Sequence, residues 1–308
     1  MEVEWLEDFL AVSNLSSFSA AAEARDITQS ALSRRIRSLE EWVGVPLFNR
    51  TTHKVTLCPA GESFRVTAEE VLRQLRTARA EAKERAEEAT ASLRFASTNA
   101  LSLVFFPVWL RQLEATLQSP INVQLVANHM EACERIMVQG QAQFLLCHYH
   151  PAATTLLTTD QFRSVRVGED VLMPVSVPKV YGDTEPLFRL PGDAQHPVPY
   201  LSYRPESGMG RIVSAVHAAS TKRCRLRPTF TSQLAKLLVT MALDARGMAW
   251  LPKSLVDDYL DTGALVPAGD ASWNIPIEIH LFRPRARQSM AAEQFWVHVN
   301  SLAKCGTD

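Results

Sequence analysis

Between Phe18 and Arg50 the chain reads FSAAAEARDITQSALSRRIRSLEEWVGVPLFNR. A short run of small residues, a break, a longer run with two distinct faces, a glycine and a basic tip follow one another. This order fits a helix, a tight turn, a second helix and a wing, which together can lay a helix in the DNA major groove. Ser19 is placed to cap a helix through Ala20, Ala21, Ala22 and Ala24, whose small side chains allow close packing. Asp26 to Thr28 break it, and Thr28 is a suitable N-cap for the next helix. There Leu32, Ile36, Leu39 and Val43 repeat at helical spacing and form one buried stripe. Ser30, Ser33, Arg34 and Arg37 share another face, with Gln29 in the first turn. Gln and Arg pair bidentately with adenine and guanine edges, and Ser or Thr reach bases or phosphates. Gly44 stops the helix, and Leu47 and Phe48 return to the core. Asn49, Arg50, Thr51, Thr52, His53 and Lys54 make a polar tip before Val55-Thr56-Leu57, a candidate wing on the phosphate backbone. A solvated helical hairpin also accounts for Ser33-Arg34-Arg35 taken alone; the full order of cap, turn, helix, glycine and wing favours DNA.

The chain resembles a LysR-type transcriptional regulator along its whole length. The signature is carried by Phe18-Ser19, Ala21-Ala22, Gln29, Ala31, Ser33, Ile36, Leu39-Glu40, Gly44, Leu47-Phe48 and Arg50. The resemblance implies DNA contacts from Thr28, Gln29, Ser30, Ser33, Arg34 and the wing residue Arg50. Ser30 stands where the family often has proline, and Cys58 stands where it has a threonine cap. Pro59 in the first helical turn offsets part of that loss. With 308 residues, two or three compact units are expected. The net charge of -1 confines electrostatic DNA affinity to local basic patches, which an oligomer multiplies. The acids Glu2, Glu4, Glu7 and Asp8 are expected to face away from DNA. Met1-Glu2-Val3-Glu4 lacks the basic start of a signal peptide, and no long apolar run predicts a membrane span. Five widely spaced cysteines suit a reducing cytoplasm.

From Pro59 to about Ala91 a long helix is expected. Phe64, Ala68, Val71, Leu75, Ala78 and Ala82 alternate spacings of four and three, a heptad seam flanked by charges. Packing on its own domain would need the same stripe; the length and the charged, alanine-rich end favour an intermolecular seam. The family uses this linker helix for dimerisation, and the resemblance implies a tetramer as well. A dimer implies a partly palindromic operator.

After Ser92 strands and helices alternate. Leu93–Ala96, Ile121–Val126 and Phe144–Cys147 read as strands, with helices Leu103–Leu117 and Met130–Gln139 between them. This predicts an open α/β sheet. A second unit from about Gly168 to Pro267 holds strands near Pro199–Tyr203, Thr229–Thr231 and Met248–Pro252, and helices Met209–Ser220 and Gln233–Ala245. The chain then returns through Ile277–Phe282 and a helix near Ala292–Ala303. The expected organisation is a winged helix-turn-helix over 1–58, a linker helix over 59–91, and a two-lobe α/β effector domain over 92–308. Lobe one covers about 92–167 and 268–308, and lobe two about 168–267. The resemblance implies the same periplasmic-binding-protein-like design.

Open α/β lobes bind ligands at carboxyl ends of strands and helix N-termini. Ser97, Thr98 and Asn99 follow the first strand; Ser207, Gly208, Met209 and Gly210 precede a helix, with Arg204 and Arg211 nearby; Thr231 and Ser232 precede the next. Each set could be ordinary capping, but three facing one cleft predict an effector pocket. Cys147-His148-Tyr149-His150 offers two histidines on one strand face but no third ligand, so neither metal nor cofactor is called for. No nucleophile elbow, phosphate loop or zinc-protease motif occurs.

Within the family the effector half most resembles a hypochlorite-responsive regulator, through Tyr203–Arg211 and Gly247–Pro252, with Leu101-Ser102-Leu103 and Phe295-Trp296. Met209 matches a methionine of that resemblance; Leu113 and Leu234 stand where others are implied. Oxidation of a thioether to a sulfoxide offers a switch. Cys58, at a helix N-terminus, is a rival switch. The expected partners are double-stranded operator DNA, RNA polymerase, a small effector or oxidant, and further copies of the chain, with no membrane. A soluble small-molecule binding protein and an enzyme using the cleft are the alternatives.

Overall fold

The computed structural model describes residues 2–50, 55–86 and 92–305. The chain divides into one unit of Met1–Glu88 with Val138–Gln141 and a second of Ala89–Met137 with Ala142–Asp308.

The first unit holds α1 (Val3–Leu15), α2 (Phe18–Ala24), α3 (Gln29–Val43), β1 (Phe48–Arg50), β2 (Val55–Leu57) and α4 (Pro59–Ala86). Sequence reasoning passed over α1, which buries Leu6, Phe9 and Val12. The Phe9 ring lies 5.3 Å from both Phe48 and Phe64, so the wing and α4 close on one aromatic centre. Ser17 rather than Ser19 caps α2: its extended backbone lets Oγ accept the Ala20 amide at 3.3 Å, while Ser19 is already helical. Thr28 caps α3 by accepting the Ala31 amide, and Gly44 ends it at φ +87°. A Cβ on Gly61 would sit 2.1 Å from the Leu47 carbonyl oxygen, so only glycine lets the first turn of α4 pass there.

The seam expected on α4 is divided. Phe64, Ala68, Val71 and the off-stripe Leu72 pack into the core of their own unit, with Ala68 and Leu72 buried. Leu75 is 46% exposed and Ala78 is exposed too. A stripe of that spacing serves whichever apolar surface lies nearest, and the first turns meet α1. The side chain of Ala82 lies outside the described residues.

The second unit runs β3 (Leu93–Thr98), α5 (Asn99–Val104), α6 (Phe106–Leu117), β4 (Val123–Asn128), α7 (Met130–Val138), β5 (Phe144–Tyr149), β6 (Phe162–Ser176), β7 (Val198–Tyr203), α8 (Gly208–Ala219), β8 (Leu226–Ser232), α9 (Ala235–Leu243), β9 (Ala249–Pro252), α10 (Lys253–Asp261), β10 (Val266–Pro267), β11 (Ile275–Pro284) and α11 (Met290–Cys305). Its main sheet has the order β10-β6-β11-β5-β3-β4, with β9 also on β6. β3 runs parallel to β4 and β5, as the alternating pattern predicts, and β7 pairs with β8 in parallel. The helix expected over Leu103–Leu117 is two, α5 and α6, meeting at Phe105 with Pro107 in the first turn of α6.

Strand β6 carries no clean alternation, being interrupted by Gly168, Glu169 and Asp170, and sequence reasoning missed it. It pairs with β11 from Phe162 to Leu172, then with β9 and β10 up to Ser176. A single strand therefore runs from one lobe into the other, across the expected border at 167/168. One core surrounds Phe95, whose ring contacts Phe106, Phe144 and Phe295 at 5.1–5.5 Å. Each such ring contributes about 1.5–3 kcal/mol by burial. The other core surrounds Trp250, Leu238 and Val239. Among the described residues no helix is long and apolar enough to cross a membrane.

Candidate nucleic-acid face and effector cavity

On the first unit, Leu32, Ile36 and Leu39 turn inward, as their spacing predicts. Thr28, Gln29, Ser30, Arg34 and Arg37 are exposed and Ser33 is half-buried, so these six candidate side chains share the open side of α3. Ser30 Oγ lies 3.1 Å from Thr28 Oγ1, which keeps the first turn of the helix ordered. The wing strands pair Phe48 with Leu57 and Arg50 with Val55. Lys54 and the side chain of Arg50 lie outside the described residues. Glu40 explains its place in the signature: Oε1 accepts the Leu47 amide at 2.9 Å and the Phe48 amide at 3.3 Å, steering the chain from α3 into the wing. Glu7 and Asp8 are turned into the unit and bonded to arginines.

In the second unit a cavity of about 30 Å³ lies where β3, β5 and β7 end and α8 begins. It is lined by Thr98, Asn99, Ser207, Gly208 and Met209 of the expected set. Ser97 is fully buried and its hydroxyl donates to the Thr98 carbonyl instead. Gly210 packs against the Arg204 carbonyl. Thr231 bonds Ser202, and Ser232 accepts the Leu234 amide, so both stand outside the lining, and Gln233 and Ala235 take their place. Asn128, His129, Met130, His148 and Tyr203 complete the wall. Met209 is 6% exposed.

Three buried atoms in this wall have no hydrogen-bond partner among the described residues: Thr98 Oγ1, His148 Nε2 and Tyr203 Oη. A buried polar atom left unpaired costs about 1–3 kcal/mol, and here three share one space. Burial, with the Tyr200 phenol second, pushes the ionisation of Tyr203 well above its usual range, so it is an O–H donor. His148 Nε2 is 3.7 Å from Asp170, too far for a direct hydrogen bond. Burial opposes ionisation of Asp170, yet His148, the Ser254 hydroxyl and the Val171 amide hold it below the usual carboxylate range. The amides opening α8 receive no cap from the Ser207 side chain. The space therefore presents donors and a helix N-terminus, and has room for about two water-sized groups.

Next to it Glu134, fully buried on α7, receives Arg211 Nη1 of α8 at 2.8 Å, the Thr155 hydroxyl at 2.8 Å and the Leu156 amide at 2.9 Å. This bond joins the two lobes beside the cavity. Its acid had no signal in the sequence beyond lying on an otherwise amphipathic helix. Tyr203 and His148 stood inside motifs already noted, but which atoms lack partners is visible only in three dimensions.

Cys58 Sγ donates to the Pro46 carbonyl at 3.0 Å. Burial pushes the Cys133 thiol up to about 12, and Cys147 well above the usual thiol range. No group of three described His, Cys, Asp or Glu residues is arranged to hold a metal. A larger cleft of about 530 Å³ is lined by Glu169, Asp257 and Glu278, but these are already paired with Arg166, Lys253 and His280.

Residues 3–62 match the bacterial regulatory helix-turn-helix protein, lysR family, and residues 86–303 match the LysR substrate binding domain. The chain is 31% identical over 302 residues to the HTH-type transcriptional regulator YjiE of Escherichia coli K12, covering 98% of this chain and 95% of that protein. The full-length structure of HypT from Salmonella typhimurium, a hypochlorite-specific LysR-type transcriptional regulator, shares 28% identity at a TM-score of 0.58, covering 99% of each chain. Vibrio fischeri DarR, solved in complex with DNA, shares 27% identity at a TM-score of 0.55, covering 97% of this chain and 98% of that one. With a winged helix-turn-helix at one end, an effector-type α/β unit at the other and both halves matched, the chain belongs to the LysR family of DNA-binding transcriptional regulators, which are not enzymes.

Proposed function

We propose that the chain is an oxidant-responsive LysR-type regulator whose signal enters the cavity between Thr98, His148, Tyr203 and Met209. The observation that carries this reading is the set of three buried atoms with no hydrogen bond among the described residues around a space walled by a methionine. The chemistry fits a small neutral or monovalent acceptor, and hypochlorous acid is one such species. The Met209 thioether attacks its chlorine as the Cl–O bond breaks and hydroxide leaves; water then displaces chloride from sulfur, and sulfoxide, chloride and, net, one proton result. The thioether is oxidised by two electrons and chlorine is reduced to chloride. A sulfoxide oxygen is a strong acceptor where the thioether was apolar, so it draws on the polar groups around it and biases the lobes. The likeness to a hypochlorite-specific regulator supports the choice of oxidant.

Operator DNA is read by Thr28, Gln29, Ser30, Ser33, Arg34, Arg37, Arg50 and Lys54. The chain works in the cytoplasm as a dimer through α4, and as a tetramer of two such dimers, with RNA polymerase as a further partner. The exposed Leu75 and Ala78 supply the apolar surface left for the second copy. The units act over 1–58, 59–91 and 92–308.

Fluorescence anisotropy on fragments selected with the reduced protein tests this. Hypochlorite should change specific affinity, methionine sulfoxide reductase should restore it, and Met209→Leu should abolish the change. If Met209→Leu responds like wild type, the oxidant reading fails. Persistence of the response in that variant and its loss in Cys58→Ser would move the switch to Cys58. Specific binding indifferent to oxidant would leave a diffusible acceptor ligand in the same cavity.

A further inference from the structure

Two adjacent carboxylates on α1 gather arginines from the rest of the DNA-binding unit. Asp8 is fully buried; Oδ1 accepts Arg25 Nε at 2.8 Å and Oδ2 accepts Arg35 Nη1 at 3.1 Å. Glu7 Oε2 accepts Arg25 Nη2 at 2.8 Å, and Oε1 accepts Arg76 Nη2 at 3.0 Å. Each of the four oxygens thus has a guanidinium N–H. Arg25 closes α2, Arg35 stands on the flank of α3 and Arg76 stands on α4. Burial works against the charge on Arg25, and Asp8 and Glu7 more than restore it.

Apolar burial cannot by itself fix how these helices are rotated. The core that joins them, with Phe9, Leu32, Ile36, Ala68 and Leu72, is held by a non-directional force. Charge-assisted bonds to a planar guanidinium have a narrow geometry. In this network Asp8 fixes α1 to α3, and Glu7 carries the same node onward to α4. Arg35 also projects away from the face of Ser30, Arg34 and Arg37, so its engagement with Asp8 takes nothing from the candidate DNA contacts.

We propose that Glu7 is a positioning residue for DNA recognition: through Arg76 on one side and the Arg25–Asp8–Arg35 node on the other, it sets the direction of the linker helix relative to the recognition helix. In a dimer joined through α4 that direction fixes the distance between two recognition helices. Glu7 therefore selects the spacing of operator half-sites rather than their sequence. This rests on α4 being the dimer helix.

The test uses the full chain and its Glu7→Gln, Arg76→Gln and doubly substituted forms. An operator is first selected in vitro with wild type. Binding is then measured by anisotropy on that duplex, on versions with the spacer changed by single base pairs, and on a lone half-site. Glu7 is partly exposed, so its substitution leaves the unit folded, which circular dichroism checks. Glu7→Gln should bind the lone half-site within about twofold of wild type but lose about tenfold in its preference for the selected spacing, because two heads no longer engage together. The double variant should lose no more spacing preference than Arg76→Gln alone, which also gives up the Arg76 bond to the Gln139 carbonyl. A merely structural role would lower half-site and full-site affinity alike. Retention of the wild-type spacing preference by Glu7→Gln overturns the proposal. A wild type that binds every spacing equally would overturn the dimer reading, and the proposal with it.

Discussion

On α3 the candidate contacts Thr28, Gln29, Ser30, Arg34 and Arg37 are exposed and nearly contiguous in sequence. In the effector unit Thr98, His148 and Tyr203 lie on three strands, and their polar atoms meet only where those strands end. The first surface meets water, so its groups need no internal partner. The second is largely buried, so each unmet polar atom stands out as a demand. An exposed face is specified by helical period and one chain segment; a buried site is specified by topology. Charge is handled differently too. In the first unit Arg25 bridges the fully buried Asp8 and the partly exposed Glu7, whereas Glu134 is wholly enclosed.

The sharpest way to break this contrast is to remove the enclosed charge. Glu134→Gln leaves Arg211 without its carboxylate beside the cavity, and unfolding of the effector unit should lose about 3–5 kcal/mol in a urea titration. A loss below about 1 kcal/mol would mean that the bond behaves like an exposed ion pair and that the lobes are not clamped there.

Gln29→Ala or Arg34→Ala should each reduce discrimination between the selected operator and a base-substituted one by about 1–3 kcal/mol, with no change in effector-unit stability. Arg37→Ala, if its contact is to phosphate, should instead weaken all sequences and lower the salt slope of binding by about one. Equal losses on operator and random DNA for Gln29→Ala would remove it from base reading.

Helix α3 is legible because its stripe, its Thr28 cap and its Gly44 stop all agree with one another. Ser17 was passed over for Ser19 because both are serines before small residues, and only backbone angles decide which is outside the helix. The effector fold was legible as alternating elements, yet β6 was not. Its Gly168 and two acids interrupt the alternation while ladders with β11 and β9 supply the order. Thr98, Asn99 and Ser207–Met209, picked by the rule that ligands sit at strand ends, line the cavity. Thr231 and Ser232, picked by the same rule, bond Ser202 and Leu234 locally and stand outside its lining.

Asp170 adds a pH readout confined to the effector unit. Its folded pKa is depressed, so its stabilising contribution is complete above the unfolded value of about 4 and is lost as pH falls through the folded value. Each unit of depression is worth about 1.4 kcal/mol. Asp170→Asn should therefore flatten the acid limb of stability below about pH 4 while costing stability at neutral pH. An unchanged acid limb would show that the His148 and Ser254 contacts do not favour the carboxylate. In the first unit, Thr28→Ala should cost about 1 kcal/mol by leaving the Ala31 amide uncapped, measured as a lower melting temperature.

The smallest stability effect carries the most information. Tyr203 is buried and its hydroxyl has no hydrogen-bond partner among the described residues, so Tyr203→Phe removes a group whose demand is unmet rather than a bond. Stability should change by less than about 1 kcal/mol and can rise, because nothing is orphaned by the substitution. The response of DNA binding to oxidant or ligand should nevertheless fall, since the Tyr203 hydroxyl donor at the cavity is gone. A typical buried tyrosine would do the reverse, with a clear loss on melting and an unaltered response. If Tyr203→Phe is destabilised like such a residue, its hydroxyl is bonded within the protein, and the cavity loses the feature that separates it from an ordinary packing gap. If it is stable and unresponsive, the unmet hydrogen bond of the Tyr203 hydroxyl is where the signal enters.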